Sequence, residues 1–121
     1  RRPVQCAQWL GLKIVVSHGG GYMPFYLGRI ARNYIEKPAT RVNMSKPPID
    51  YVRMLHYDTC VYDPDTLSQL VEIVGHERIV MGSDYPVGDN APIEFVRDCT
   101  KLDEAGKEMV LNRNAERLLQ I

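Results

Sequence analysis

Three residues with chemically useful side chains, His18, Asp63 and Asp84, each come directly after a short apolar segment of the sequence. An imidazole titrates near neutral pH and can exchange a proton, and a carboxylate can bind a metal ion or accept a proton. If the apolar segments are parallel strands, the residues that follow them gather at one edge of the sheet, where the active sites of such folds lie. The spacing therefore predicts a site for acid/base or metal chemistry.

Each of these residues also has a structural interpretation. His18 precedes three glycines at 19–21, which permit a sharp turn and the close approach of a ligand, and spacing alone does not separate a functional histidine from a structural one. Asp84 lies in the segment GSDYP, where an aspartate often caps the following turn. Asp63 precedes Pro64 and is most simply the N-cap of a helix, so we interpret it as structural.

The apolar segments and the residues between them predict alternating strands and helices. The predicted strands are residues 12–17, 57–62 and 78–83. The predicted helices are 49–55, 63–75, 90–100 and a terminal helix with Ala115, Leu118 and Leu119 on one stripe. Residues 28–48 are expected to be irregular. Nearly continuous aliphatic strands are typical of a parallel sheet covered by helices. The order predicts an α/β fold, either the edge of a doubly wound sheet or an arc of a (β/α)8 barrel. His56 and His76 enter strands and are expected at the opposite edge of the sheet.

The composition is that of a globular domain and argues against two classes of function. Of the 121 residues, 15 are Lys or Arg and 15 are Asp or Glu, so there is no basic excess of the kind that a nucleic-acid or anionic-membrane binder carries. No apolar stretch approaches the roughly 20 residues that cross a bilayer. The two phosphate-binding motifs G-x-G-x-x-G and G-x-x-x-x-G-K-[ST] are missing. Cys6, Cys60 and Cys99 form no paired framework, so we expect reduced, mostly buried thiols in a cytoplasmic protein.

Four segments together resemble the C-terminal portion of the amidohydrolase-2 family, and within it most of all the aminocarboxymuconate semialdehyde decarboxylase group. They are SHGGG at 17–21 with Pro24 and Gly28-Arg29, YDT at 57–59, RIVMGSDYP at 78–86 and NAERLL at 114–119. They follow one another over nearly the whole chain. The HGGG and GSDYP motifs together are far more specific than either alone.

The resemblance implies that residues 1–121 form a single partial domain, the sixth to eighth strands of a (β/α)8 barrel. It implies a metal-dependent decarboxylase of an unsaturated or aromatic carboxylate, in which a divalent metal, usually zinc, activates a water. Asp84 matches a metal ligand, and His18 matches the acid/base histidine beside the metal. Arg29 matches an arginine that reaches the substrate carboxylate in a neighbouring subunit, which implies a homo-oligomer; its alternative is a solvated helix charge.

The sequence also departs from the family pattern. It contains no His-x-His pair and no further histidine ligand before Leu12, whereas a catalytic zinc needs about three protein ligands. Its 121 residues are about half of the roughly 250 of a complete barrel, and the first residue is not Met. We therefore expect a piece of a longer parent enzyme that does not hold a metal tightly by itself. Two alternatives stay open: a hydrolase of a lactone or amide, and a non-catalytic fragment that self-associates through open strand edges.

Overall fold

The computed structural model describes residues 11–88 and 90–121, and within them three short strands form one parallel sheet. Strand β1 is Val15–Val16, β2 is His56–Asp58 and β3 is Ile79–Val80, and neighbours in the sheet are neighbours in the chain. The predicted parallel sheet is confirmed. Each strand is shorter than its predicted segment because the backbone soon turns away from its neighbour. After β1 it turns at His18–Gly20, where all three residues have a positive φ.

Helices follow the strands in the predicted alternation. They are α1 (Leu27–Glu36), α2 (Pro48–Val52), α3 (Pro64–Val74), α4 (Pro92–Arg97), α5 (Glu104–Glu108) and α6 (Asn114–Leu119), and a π-helical turn at Met109–Arg113 joins α5 to α6. The expectation that residues 28–48 are irregular is wrong for α1. Its interior contains no proline, and the helix ends at Lys37 because the residue before Pro38 is disfavoured in the helical region.

One face of the sheet carries the core. Val16 lies opposite Tyr57, and Tyr57 lies opposite Ile79, so these three side chains form a row across the strands. Tyr57 and Ile79 are fully buried against the helices, and Val16 packs against the same cluster. The Tyr57 hydroxyl donates to the carbonyl oxygen of Val52 at 2.7 Å, so the core keeps its one phenol hydrogen-bonded.

The other face of the sheet is open. Its row consists of Val15, His56, Asp58 and Val80, none of which is buried within the part of the chain that the structure describes. Helices thus cover one face only, whereas a doubly wound sheet is covered on both. A one-sided layer is the arrangement expected for an arc of a barrel, in which the uncovered face points to the barrel interior.

Helix α3 shows why the sequence signals were reliable there. The Oδ2 atom of Asp63 accepts the backbone N–H of Thr66 at 2.7 Å, which confirms Asp63 as an N-cap. Leu67, Leu70 and Val74 are buried on the predicted stripe, and full burial of an aliphatic side chain contributes roughly 2 kcal/mol. The helix ends at Gly75, as expected.

The terminal helix differs from its prediction. Leu119 is 64% exposed, and the buried residue of α6 is Asn114. The Nδ2 atom of Asn114 donates to the carbonyl oxygens of His76 and Ile79, both at 2.7 Å, so a polar side chain fastens α6 to β3. Predicting this attachment requires knowing which backbone carbonyl groups near the start of β3 are not hydrogen-bonded to other backbone groups.

Two of the three cysteines can be placed. Cys60 and Cys99 are buried free thiols, as expected, and Cys6 lies outside the described residues. Burial and the nearby carboxylates of Asp58 and Asp84 raise the pKa of Cys60 to about 11, so its thiol stays protonated at neutral pH. Across residues 11–88 and 90–121, no helix has the length and apolar content needed to span a membrane.

Candidate active site

The loop that carries His18 is held by a carboxylate of the middle strand. Asp58 ends β2, and its Oδ2 atom accepts the backbone N–H of His18 at 3.0 Å. Its Oδ1 atom accepts the N–H groups of Gly19 and Cys60, each at 3.0 Å. One side chain therefore ties the end of β1 to the end of β2 and fixes where the imidazole begins.

Gly20 supports the same loop by allowing it to pack against the core. Its φ is +80°, and a Cβ atom there would lie 2.7 and 2.9 Å from two carbons of the Tyr57 ring. No other residue fits this position without displacing the ring. At Gly20 the glycine thus serves packing against Tyr57 rather than the close approach of a ligand.

Asp84 and His18 meet at the carboxyl ends of β3 and β1. The Nε2 atom of His18 lies 3.5 Å from Oδ1 of Asp84, and the two side chains are 64% and 37% exposed. Because the two strands flank β2, this contact spans the whole width of the sheet. The structure brings together the two residues that were predicted to be catalytic, at an edge that solvent and small molecules can reach.

Tyr62 is a third member of this cluster, and the sequence reasoning missed it. Its hydroxyl donates to Oδ2 of Asp84 at 3.1 Å. Partial removal from water and this hydrogen bond raise the pKa of Tyr62 to about 12, so the phenol remains a donor at neutral pH. The available signal was its position. Tyr62 is the last residue of a predicted strand segment, directly before Asp63, which was singled out because it follows that segment.

The cluster shares an unusual backbone conformation. His18, Tyr62 and Asp84 have φ values of 55°, 55° and 56°, in the left-handed region that residues with a Cβ rarely occupy. Within the described ranges Gln120 is the one other non-glycine residue with a positive φ, and it caps the end of α6. Left-handed residues away from helix ends concentrate at functional sites, where the surrounding structure imposes the strain.

Arg29 lies apart from this cluster. It sits in the first turn of α1 and is exposed, and no hydrogen bond or ion pair joins it to another residue of the described chain. The structure therefore shows no hydrogen bond or ion pair between Arg29 and His18 or Asp84. Its predicted role toward a substrate in a neighbouring subunit stays a prediction.

The donor atoms of the cluster fit part of a metal site. The carboxylate of Asp84 and the imidazole of His18 are both ligand types that divalent transition metals accept. Among the described residues, however, no group of three or more His, Cys, Asp or Glu side chains is close enough to hold an ion. A catalytic ion bound here would need further ligands beyond these two residues.

Comparison with known protein families identifies the family to which this chain belongs. A family model described as amidohydrolase matches residues 7–121. The chain belongs to the amidohydrolase family. This confirms the resemblance carried by the HGGG and GSDYP motifs.

Several relatives of this amidohydrolase chain are decarboxylases. The 2-amino-3-carboxymuconate-6-semialdehyde decarboxylase of Dictyostelium discoideum is 32% identical over 108 residues, which cover 86% of this chain and 30% of that protein. The solved 5-carboxyvanillate decarboxylase of Sphingomonas paucimobilis is 31% identical with a TM-score of 0.78, and the match covers 91% of this chain and 34% of that one. The amidohydrolase chain thus spans about a third of the length of these relatives.

A third comparison bears on the fold alone. The solved dihydroxybenzoic acid decarboxylase of Polaromonas sp. JS666, which contains bound manganese and the inhibitor 2-nitroresorcinol, is 22% identical with a TM-score of 0.81. The match covers 94% of this chain and 35% of that one. The α/β arrangement of the amidohydrolase chain is therefore that of part of a larger fold.

Proposed function

We propose that this chain forms the C-terminal arc, the sixth to eighth strands, of a metal-dependent decarboxylase that acts on a small unsaturated or aromatic carboxylate. The observation that carries the proposal is the contact of 3.5 Å between Nε2 of His18 and Oδ1 of Asp84 at the shared strand ends. The similarity to decarboxylases of a carboxymuconate semialdehyde and of 5-carboxyvanillate supports the substrate class. Helices on a single face of the sheet support the barrel arc.

In this proposal Asp84 is one ligand of a divalent metal. When bound, such an ion polarises oxygen atoms and lowers the pKa of water toward neutrality. The remaining ligands come from the other strands of the barrel, and we call the polypeptide that contains them together with this chain the complete enzyme. The resemblance implies zinc, whereas the solved dihydroxybenzoic acid decarboxylase contains manganese, so both ions belong in the test.

His18 moves the proton in this proposal. Loss of CO2 leaves an electron pair on the carbon that carried the carboxylate, and that carbon must gain a proton to complete the reaction. The imidazole of His18 is exposed and lies beside Asp84, so it can supply that proton and recover it from solvent. Asp58 contributes by fixing the backbone from which the imidazole projects.

The test compares variants of the complete enzyme by two measurements. The first is the release of CO2 from hydroxybenzoates and from unsaturated amino-carboxylates. The second is elemental analysis of the protein for zinc and manganese. His18→Gln should lower kcat at least a hundredfold while the metal content stays unchanged. Asp84→Asn should lower both. The matched controls are His76→Gln, at the opposite end of the sheet, and Asp65→Asn, exposed on α3, and both should behave as wild type.

Three outcomes would count against this assignment. Wild-type turnover in His18→Gln removes the acid/base role. Full metal content in Asp84→Asn removes the ligand role. Turnover of a lactone or amide without release of CO2 replaces the decarboxylase by the hydrolase alternative.

A further inference from the structure

The two oxygens of the Asp84 carboxylate have different surroundings. Oδ1 faces Nε2 of His18 at 3.5 Å, and Oδ2 accepts the hydroxyl of Tyr62 at 3.1 Å. A donor that holds one oxygen of a carboxylate restricts its rotation about the Cβ–Cγ bond, and the Tyr62 hydroxyl is such a donor. We propose that Tyr62 is a positioning residue, whose hydroxyl holds Oδ2 of Asp84 so that Oδ1 stays available to a metal ion beside His18; this rests on the proposed function of Asp84.

The backbone at Tyr62 supports this role. Its φ of 55° is unfavourable for a bulky residue, and its side chain is 50% exposed, so neither local preference nor burial explains why the chain holds it there. Tyr62 lies beyond the end of β2, and Asp84 lies at the end of β3. The left-handed conformation at both residues thus accompanies a hydrogen bond between neighbouring strand ends.

The loop after β3 leaves room for the tyrosine hydroxyl. A Cβ atom at Gly88 would collide with the hydroxyl oxygen of Tyr62 and with the carbonyl oxygen of Ser83. The backbone N–H of Gly88 donates instead to the carbonyl oxygen of Asp84 at 2.9 Å, which closes the loop around the aspartate. The tyrosine hydroxyl therefore lies against the loop that carries Asp84 and donates to the carboxylate.

Residues that hydrogen-bond to a metal ligand orient it, and removing such a bond typically weakens metal affinity or activity by 10- to 100-fold. Tyr62→Phe keeps the ring and the backbone and removes only the hydroxyl. In the complete enzyme we expect this change to raise the dissociation constant for Mn²⁺ about 10-fold. The measurement titrates Mn²⁺ into metal-free protein and follows the free ion by electron paramagnetic resonance. We expect kcat to fall by a similar factor, KM to change little and the melting temperature to stay the same.

The controls separate this role from the role of Asp84 itself. Tyr26→Phe removes an exposed tyrosine hydroxyl elsewhere and should leave the Mn²⁺ dissociation constant unchanged. If Asp84→Asn loses the metal and Tyr62→Phe binds it as tightly as wild type, the positioning role of Tyr62 is wrong and the proposed function stands. If both variants bind Mn²⁺ as wild type does, the ligand role of Asp84 is wrong, and the role of Tyr62 is wrong with it. A fall in melting temperature without a change in metal affinity would make Tyr62 merely structural.

Discussion

Nε2 of His18 lies 3.5 Å from Oδ1 of Asp84, although their strands are separated by the full width of β2. The contact forms because both residues leave the sheet at its carboxyl end with the same left-handed backbone. The strand between them supplies Asp58, which holds the loop of His18. The geometry of the pair therefore depends on a residue that belongs to neither of the two outer strands.

Replacing Asp58 tests this dependence. Asp58→Asn keeps the shape of the side chain but leaves only one acceptor oxygen, so it cannot serve both the N–H of His18 and those of Gly19 and Cys60. We expect a loss of about 1 to 3 kcal/mol in the free energy of unfolding, measured by urea denaturation, because a partly buried N–H loses its acceptor. The exposed Asp50→Asn on α2 should have no such effect. Equal stability of the Asp58 and Asp50 variants would show that the loop does not depend on the carboxylate.

A pair of glycine substitutions tests the packing of the HGGG loop. Gly20→Ala places a Cβ against the Tyr57 ring at a φ of +80°, so we expect it to lower the free energy of unfolding by roughly 1 to 3 kcal/mol. Gly28→Ala lies in α1 with no atom within 4 Å of the new Cβ, and it should stabilise the chain by roughly 0.5 to 1 kcal/mol. Thermal and urea unfolding of both variants provide the comparison. A stable Gly20→Ala chain would mean that Tyr57 can move at little cost.

The environment of His56 indicates how the free energy of unfolding should depend on pH. Burial, followed by the positive charges of Arg78 and Lys13, lowers the pKa of His56 below 6.5, and its Nδ1 atom is buried without a hydrogen-bond partner. The unfolded chain therefore takes up a proton at a higher pH than the folded one. The stability that neutral His56 contributes is fully present above about pH 6.5 and is lost as the pH falls through the lower folded-state pKa.

Urea unfolding at pH 7.5 and pH 5.5 measures this effect. The wild-type chain should lose stability between the two pH values, and His56→Gln should lose less, because glutamine does not titrate. His76→Gln is the matched control and should keep the wild-type difference. An unchanged pH dependence in His56→Gln would assign the effect to other groups.

The open side of β1 predicts that the isolated chain associates with itself. Leu12, Ile14 and Val15 are 44 to 49% exposed, and the outer edge of β1 pairs with no strand in the part of the chain that the structure describes. Unpaired strand edges with apolar side chains favour pairing between chains. Light scattering during size-exclusion chromatography should show a mass above 13.8 kDa, the mass of one chain. Ile14→Lys should reduce this measured mass. Val42→Lys, which changes an exposed residue elsewhere, is the control and should reduce it less. A wild-type chain that stays monomeric at every concentration would rule this association out.

The sequence was most informative where structure depends on nearby residues. Asp63 and Pro64 predicted the start of α3, and the spacing of its leucines predicted its buried face. The positions of His18 and Asp84 after strands predicted that they would lie at the same edge of the sheet. The strand ends were less predictable, because a hydrogen-bonded ladder depends on the neighbouring backbone as much as on the strand itself.

The missed residues act through contacts between distant segments. Asp58 was recognised only as part of the YDT motif, since nothing in its own segment indicates that it accepts N–H groups from the loop after β1. Tyr62 has an ordinary tyrosine environment in the sequence, and its partner is on another strand. Roles of this kind follow from the register of the sheet, which residue spacing alone does not determine.

The left-handed backbone of His18, Tyr62 and Asp84 has a consequence for protein engineering. Each of these residues costs about 1 kcal/mol relative to a glycine in the same conformation, because its Cβ crowds the carbonyl oxygen. A selection for heat resistance alone should therefore enrich glycine at these three positions and discard the side chains that the chemistry needs. Gln120, left-handed at the end of α6, offers the same kind of gain without that loss. Directed evolution of this protein should accordingly leave the strand ends fixed and look for added stability at Gln120 and other positions away from them.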